Sequence, residues 1–243
     1  MCTGRSAIAA ASAVAAFVVL LSCVSAAPVE GSDSARFVFF SGSDIWHEGA
    51  FAYGGVLWSP DGLNGEGFTL KALLSGGQYR YHSGALGAQV TGIETVGQFL
   101  PGWRFKRGTL EVKVFAGLDV ENHRLLPDDP TSSLRGHEAG IRGAFDLWYE
   151  PTPATMVAVD GSLSSIATGY SARAAFGWRA FDLFYAGPEV QAFACDGYSQ
   201  LRFGAHLTAL KAGGVEWSFA AGWAHDTDQR NGAYGRIGVL MRR

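Results

Sequence analysis

Leu110-Glu-Val-Lys-Val-Phe-Ala-Gly-Leu-Asp-Val-Glu121 alternates along its whole length: every even position is apolar and most odd positions are charged. Successive side chains of an extended chain point to opposite faces, so this stretch reads as a strand with one oily and one wet side. The pattern returns after Gly169, where Tyr170, Ala172, Ala174, Phe176 and Trp178 share one face and Ser171, Arg173, Gly177 and Arg179 the other. Two environments suit such oily faces: a soluble core, or lipid around a closed barrel.

Working outward, about twelve extended segments follow one another between turn signals, with 10 to 14 admissible. Their approximate spans are 36–46, 50–58, 67–81, 89–105, 109–122, 138–150, 154–165, 170–180, 183–194, 200–210, 214–225 and 233–242. Most are long enough to cross the apolar layer when tilted, whereas strands of soluble domains average about five or six residues. No segment of the mature chain sustains a helical period. Only 17% of residues are charged, fewer than a sandwich with a solvated outer face can carry, and 33 residues are Gly, many inside strands, where they ease bending and close packing. Large aromatics occupy the apolar register: Phe145, Phe176, Phe203, Trp217, Phe219 and Trp223. The fold expected is a single all-β transmembrane antiparallel up-and-down barrel over residues 36–243.

The N-terminus agrees with export. Arg5 precedes an uncharged run from Ser6 to Val24 and small residues at Ser25-Ala26-Ala27, the form of a secretory signal over 1–26, followed by a short leader over 27–35. A membrane anchor lacks its basic stop-transfer flank here, and acylation at Cys23 needs a lipobox whose second position, Leu21, is bulkier than usual. With Cys2 and Cys23 removed, Cys195 is alone, and stability must come from a closed sheet rather than a disulfide. The formal charge of −3 becomes one unit more negative, and basic residues never cluster, which excludes nucleic acid as a partner.

Loop lengths and aromatic placement give orientation. With the N-terminus inside, 106–108, 150–153, 181–182 and 212–213 are short periplasmic turns, and the long 123–137 and polar 226–232 connections are external. The turn at 59–65 is longer than that rule allows. Trp103, Tyr149, Trp178 and Trp217 then mark the periplasmic interface, and Tyr170 and Trp223 the outer one. The opposite register places Glu111, Lys113, Asp119, Glu121, Arg142, Asp146, Arg173, Arg179, Glu189, Arg202, His206, Glu216 and Arg236 in the lumen. Mixed charge of this kind either packs as a structural network or lines a solute path. Phe115, Trp148 and Tyr234 are the inward aromatics, few for a sugar-polymer conduit.

Catalytic and metal chemistry are weakly signalled. His47, His82, His123, His137 and His225 fall in external turns or strand ends without metal-motif spacing. Asp128-Asp129 and Asp226-Thr-Asp228 offer too few oxygens for calcium. His225-Asp226 near a Ser suggests a rim hydrolase, but no nucleophile elbow accompanies it. The expectation is a non-enzyme with no catalytic residues, no metal and no cofactor.

Several strings carry a resemblance: Phe40-Ser-Gly-Ser-Asp-Ile-Trp46, Leu57-Trp-Ser-Pro60, Gly67-Phe-Thr-Leu-Lys71, Leu100-Pro-Gly-Trp-Arg-Phe105, Asp146-Leu-Trp-Tyr-Glu-Pro-Thr152, Gly187-Pro-Glu-Val190 and Tyr234-Gly-Arg236. Collinear from about Phe37 to Arg243, they resemble the cellulose biosynthesis protein BcsS family. The resemblance implies a protein of the bacterial envelope that accompanies cellulose synthesis and export, with outer-membrane lipid, the cellulose chain and other synthase or export components as partners. It transfers no site residues, and Cys195 is a departure from the family pattern. The alternatives are a small general porin or structural barrel without glucan specificity, and a rim enzyme acting on lipid or polysaccharide.

Overall fold

A computed structural model describes residues 35–195, 198–228 and 230–243. The expected signal peptide over 1–26, Cys23 and the leader up to residue 34 lie outside the described residues. Twelve strands form: β1 Phe37–Trp46, β2 Gly49–Trp58, β3 Gly67–Ser83, β4 Ala88–Arg107, β5 Leu110–Leu126, β6 Gly136–Thr152, β7 Thr155–Ser164, β8 Tyr170–Ala180, β9 Phe184–Cys195, β10 Tyr198–Ala212, β11 Val215–Asp226 and β12 Asn231–Arg242. Each pairs antiparallel with its sequence neighbours, and β1 closes on β12 from Val38↔Arg242 to Trp46↔Tyr234. The backbone N–H groups of Arg36 and Phe37 both donate to the Arg243 carbonyl at 2.7 Å, sealing the seam. Closure leaves no unpaired sheet edge. Among the described residues no helix is long and apolar enough to cross a membrane.

The alternation sets the faces. Along β5, Val114, Leu118 and Val120 are exposed on the outside while Phe115, Asp119 and Glu121 are buried inside; neighbours Leu118 and Asp119 are 61% and 0% exposed. Cys195, one residue beyond the expected span 183–194, ends β9 opposite Tyr198. The strand glycines have a local cause as well as an elastic one. Rings on neighbouring strands lie flat against the inner wall over them: a Cβ on Gly42 would fall 2.5 Å from the Tyr53 hydroxyl, and one on Gly55 equally close to the Phe40 ring.

The end holding Phe37 and Arg242, here the proximal end, has tight turns at 108–109, 153–154, 181–183 and 213–214. The longer 59–66 turn does not project from it. The Arg104 guanidinium, 2% exposed, donates to the carbonyls of Leu63 at 2.7 Å and Gly62 at 2.5 Å, drawing the turn into the mouth. Leu63 then packs with Leu57, Leu100 and Phe115. At the distal end β3 to β6 overshoot the others. They run to 17 or 20 residues, against 10 to 15 elsewhere. At ~3.3 Å per residue this sector rises well beyond the ~9–11 residues that cross an apolar layer.

Candidate functional site

The barrel interior brings together the charged residues that share a register. Arg202 of β10 reaches Asp44 of β1, its Nη1 2.8 Å from both carboxylate oxygens, and its guanidinium lies 4.9, 5.0 and 5.2 Å from the centres of Trp46, Phe193 and Tyr234. Glu189 of β9 accepts from Arg236 of β12 at 2.7 Å, Tyr234 at 3.0 Å, Arg173 at 3.2 Å and Gln191 at 2.7 Å. Arg173 also binds Asp160 at 2.7 Å. Lys71 of β3 approaches Asp146 of β6 at 3.5 Å. Three of these pairs, Arg202–Asp44, Arg236–Glu189 and Lys71–Asp146, join strands three places apart, so they cross the lumen as chords instead of running along the wall.

Distal to the Lys71–Asp146 chord, Arg142 binds Asp119 at 2.7 Å and Glu121 at 3.2 Å, and Ser164 donates to Asp119 at 2.6 Å. His206 is buried, its Nε2 3.1 Å from the Phe176 carbonyl. Proximal to the chords lies a cavity of about 590 Å³ whose lining includes Phe40, Tyr53, Trp148, Tyr185, Lys113 and Arg179. Around it Lys113 pairs with Glu111 at 2.5 Å, Arg242 with Glu216 at 2.8 Å, and Arg179 bonds the Tyr185 hydroxyl and sits over its ring. Trp148 donates its indole N–H to Glu150 at 3.0 Å.

Of the aromatics assigned to the interfaces, Trp103, Tyr149 and Trp178 are exposed near the proximal end, and Tyr170 and Trp223 toward the distal end. Trp217 is half-buried, stacked on Phe219 with centroids 6.1 Å apart. The interior is more aromatic than the sequence suggested. Besides Phe115, Trp148 and Tyr234, it holds Phe40, Trp46, Tyr53, Tyr79, Tyr185 and Phe193. Asp44, Lys71, Asp160 and Arg104, absent from the sequence assignment, are also inside. The signal for Asp44 and Asp160 was a lone charge within an apolar strand, hidden because their registers also carry Phe40, Trp46, Met156 and Ala158.

Two sequence expectations change, and one weakly signalled arrangement is not formed. His123 is not in an external turn: β5 continues to Leu126, and the imidazole is buried inside, its Nε2 3.0 Å from Glu121. His225 and Asp226 form no dyad, because adjacent strand residues face opposite ways. Asp226 is buried inside with Arg230 at 3.1 Å, and His225 is outside with its Nδ1 2.9 Å from Asn231. The connection starting at His123 shrinks to 127–135 and folds inward. There Asp129 accepts from the Tyr81 hydroxyl at 3.0 Å and from the Thr131 hydroxyl and N–H at 2.7 and 3.1 Å. Hydrogen bonds from Thr131 and Ser83 foremost hold its carboxyl down at about 2. Asp128 is taken up by Arg135 at 2.5 Å and Asp228 by Arg230 at 2.8 Å.

A family model described as cellulose biosynthesis protein BcsS matches residues 38–243. Among solved structures, the translocator domain of the autotransporter NalP from Neisseria meningitidis aligns with a TM-score of 0.47 at 14% identity, covering 97% of each chain. The KdgM porin aligns at 0.46 and 13% identity over 84% of this chain and 98% of its own. The outer membrane phospholipase A from Escherichia coli aligns at 0.39 and 12% identity over 86% and 96%. No match was found among curated proteins.

Proposed function

The chain belongs to the cellulose biosynthesis protein BcsS family, and from that premise we propose that it is a non-enzymatic outer-membrane barrel that assists cellulose export or surface anchoring without being the conduit. The supporting observation is the crossing of the lumen by three ion-paired chords above a cavity that opens proximally. A glucan chain threading the barrel would have to break these charge pairs, leaving the buried Arg202 and Glu189 side chains without their partners. In this reading residues 1–26 direct export, the proximal end faces the periplasm, and the outward apolar wall with its aromatic residues meets outer-membrane lipid. The vestibule, with Trp148, Tyr53 and Tyr185 beside ionic groups, is the surface offered to the cellulose chain or to other synthase and export components. Rings of this kind stack on the apolar faces of sugars, while the charged groups meet hydroxyls.

The test is deletion of the gene in the native cellulose-producing host, scored by exported cellulose, together with fractionation of the tagged protein. Reduced or unanchored cellulose with the protein in the outer membrane is expected. Unchanged cellulose defeats the role, and a soluble periplasmic protein defeats the location.

A further inference from the structure

One cluster of the interior takes no part in the chords. On the distal half of β4 and β5, Glu94, Glu121 and His123 place one ligand atom each so that all three lie within 4.8 Å of one another. Their registers explain why they meet: Glu94 is directly opposite His123 across the β4–β5 ladder, and Glu121 precedes His123 by two on the same inward face. Tyr79 of β3 stands behind the imidazole, its hydroxyl 3.4 Å from His123 Nδ1.

The charge around this cluster does not balance. Glu121 is also directly opposite Glu138 of β6, a like-charge pair that ordinarily disfavours the ladder. With Asp119 that makes four inward carboxylates at this level of β4, β5 and β6, against one guanidinium, Arg142, and the imidazole. Among the described residues, the side-chain carboxylates of Glu94 and Glu138 make neither a hydrogen bond nor a salt bridge, although both backbones are paired in the sheet. Asp119, two residues before Glu121 on the same face, is fully buried, and its Oδ1 has no hydrogen-bond partner. Carboxylates held together in a low-dielectric wall need either protons or cations.

We propose that Glu94, Glu121 and His123 form a binding site for a divalent transition metal such as Zn²⁺, inside the distal half of the lumen. One imidazole nitrogen and two carboxylate oxygens are a donor set for Zn²⁺, with a fourth position left to water. The nitrogen ligand and the small number of oxygens disfavour Ca²⁺, which takes six to eight oxygens. Bonds of ~2.0–2.2 Å require the three side chains to draw closer, and His123 Nε2, whose N–H faces the Glu121 carboxylate in the metal-free site, to give up that proton in favour of the tautomer protonated at Nδ1, so that the Nε2 lone pair meets the ion. Tyr79 then accepts from Nδ1–H and fixes the tautomer, the arrangement that usually supports a metal-binding histidine. Two positive charges offset most of the carboxylate excess left by Arg142. Glu94 is only half-buried, which leaves the cluster accessible from the water of the lumen.

The full mature chain, refolded in detergent after EDTA treatment, is titrated with Zn²⁺, Co²⁺ and Ca²⁺ by calorimetry, and retained metal is counted after dialysis. Expected are one Zn²⁺ per barrel, a Co²⁺ absorption spectrum of a nitrogen-containing low-coordinate site, and no comparable Ca²⁺ binding. Glu94→Gln and His123→Ala should each weaken Zn²⁺ binding at least about tenfold, and Tyr79→Phe about tenfold, with heat-modifiable migration on gels retained as the check on folding. No stoichiometric Zn²⁺, or Zn²⁺ binding indifferent to both Glu94→Gln and His123→Ala, overturns the site. If one of those variants fails to fold, the Tyr79→Phe protein and the loss of the Co²⁺ spectrum in the other variant decide. Cellulose is not part of the readout, so the outcome is independent of the export role.

Discussion

Arg202 and Asp44 meet across two intervening strands, the guanidinium of β10 holding the carboxylate of β1 while three aromatic rings surround it. The two partners are unequal in burial: the Arg202 side chain is 2% exposed and that of Asp44 24%. Removing the carboxylate strands a charge with no route to water. Removing the guanidinium leaves an acid that solvent already reaches. Asp44→Ala should therefore cost about 3 kcal/mol, the low end for breaking a buried pair, and Arg202→Met clearly less. Urea titration of heat-modifiable migration measures both. Equal costs, or a neutral Asp44→Ala, would show that this chord does not carry stability.

The chords also make a prediction about permeation. With Arg202–Asp44, Arg236–Glu189 and Lys71–Asp146 intact, the purified barrel should show little ion conductance in planar bilayers. Truncating Arg202 and Arg236 together should raise single-channel conductance several-fold, because two side chains that span the lumen are replaced by water. A wild-type barrel already conducting like an open porin would remove the argument against a conduit.

The alternation in the sequence made the fold legible. All twelve expected segments correspond to strands whose ends differ by at most four residues, because a period of two depends on local chemistry that the closed sheet preserves. The interior was legible only where charges stood on the wet register. Asp44 and Asp160 share theirs with Phe40, Trp46, Met156 and Ala158, and an alternation rule sends such strands the wrong way. Lys71 pairs with Asp146 over a separation of 75 residues, which no local pattern encodes. His123 was misplaced for a simpler reason: the polar run Glu121-Asn-His-Arg124 looks like a loop, yet it continues a strand that overshoots the rest of the barrel.

Asp129 gives the 127–135 connection an acid sensitivity. Its carboxyl is held at about 2, below its unperturbed 3.8, by hydrogen bonds from Thr131 and Ser83 foremost. A lowered folded value contributes stability that is complete above the unfolded value and is lost as pH falls toward the folded one. Protection of this segment against hydrogen exchange should hold at pH 5 and above and decline between about pH 4 and pH 2. Asp129→Asn should reduce protection at neutral pH and flatten the pH dependence. Retention of the full acid response in that variant would assign it to another group.

The outward wall of β5 can be tested at two heights with one substitution. Leu118 is exposed on the outside four residues distal to Val114, which is opposite the exposed Trp103. That puts Leu118 about 13 Å along the strand from the proximal aromatic level, inside an apolar band ~25 Å tall. Leu126 faces the same way at the distal end of the strand, in the sector that overshoots. If lipid surrounds the wall, Leu118→Arg should destabilise the barrel in vesicles by about 2–4 kcal/mol and Leu126→Arg by about 0–1 kcal/mol, since the cost of a cation falls from midplane to interface. Equilibrium refolding into vesicles of matched thickness gives both values. The same two variants in aqueous solution would differ little if the wall met water, so a depth-independent pair of costs would remove lipid from the account of this strand.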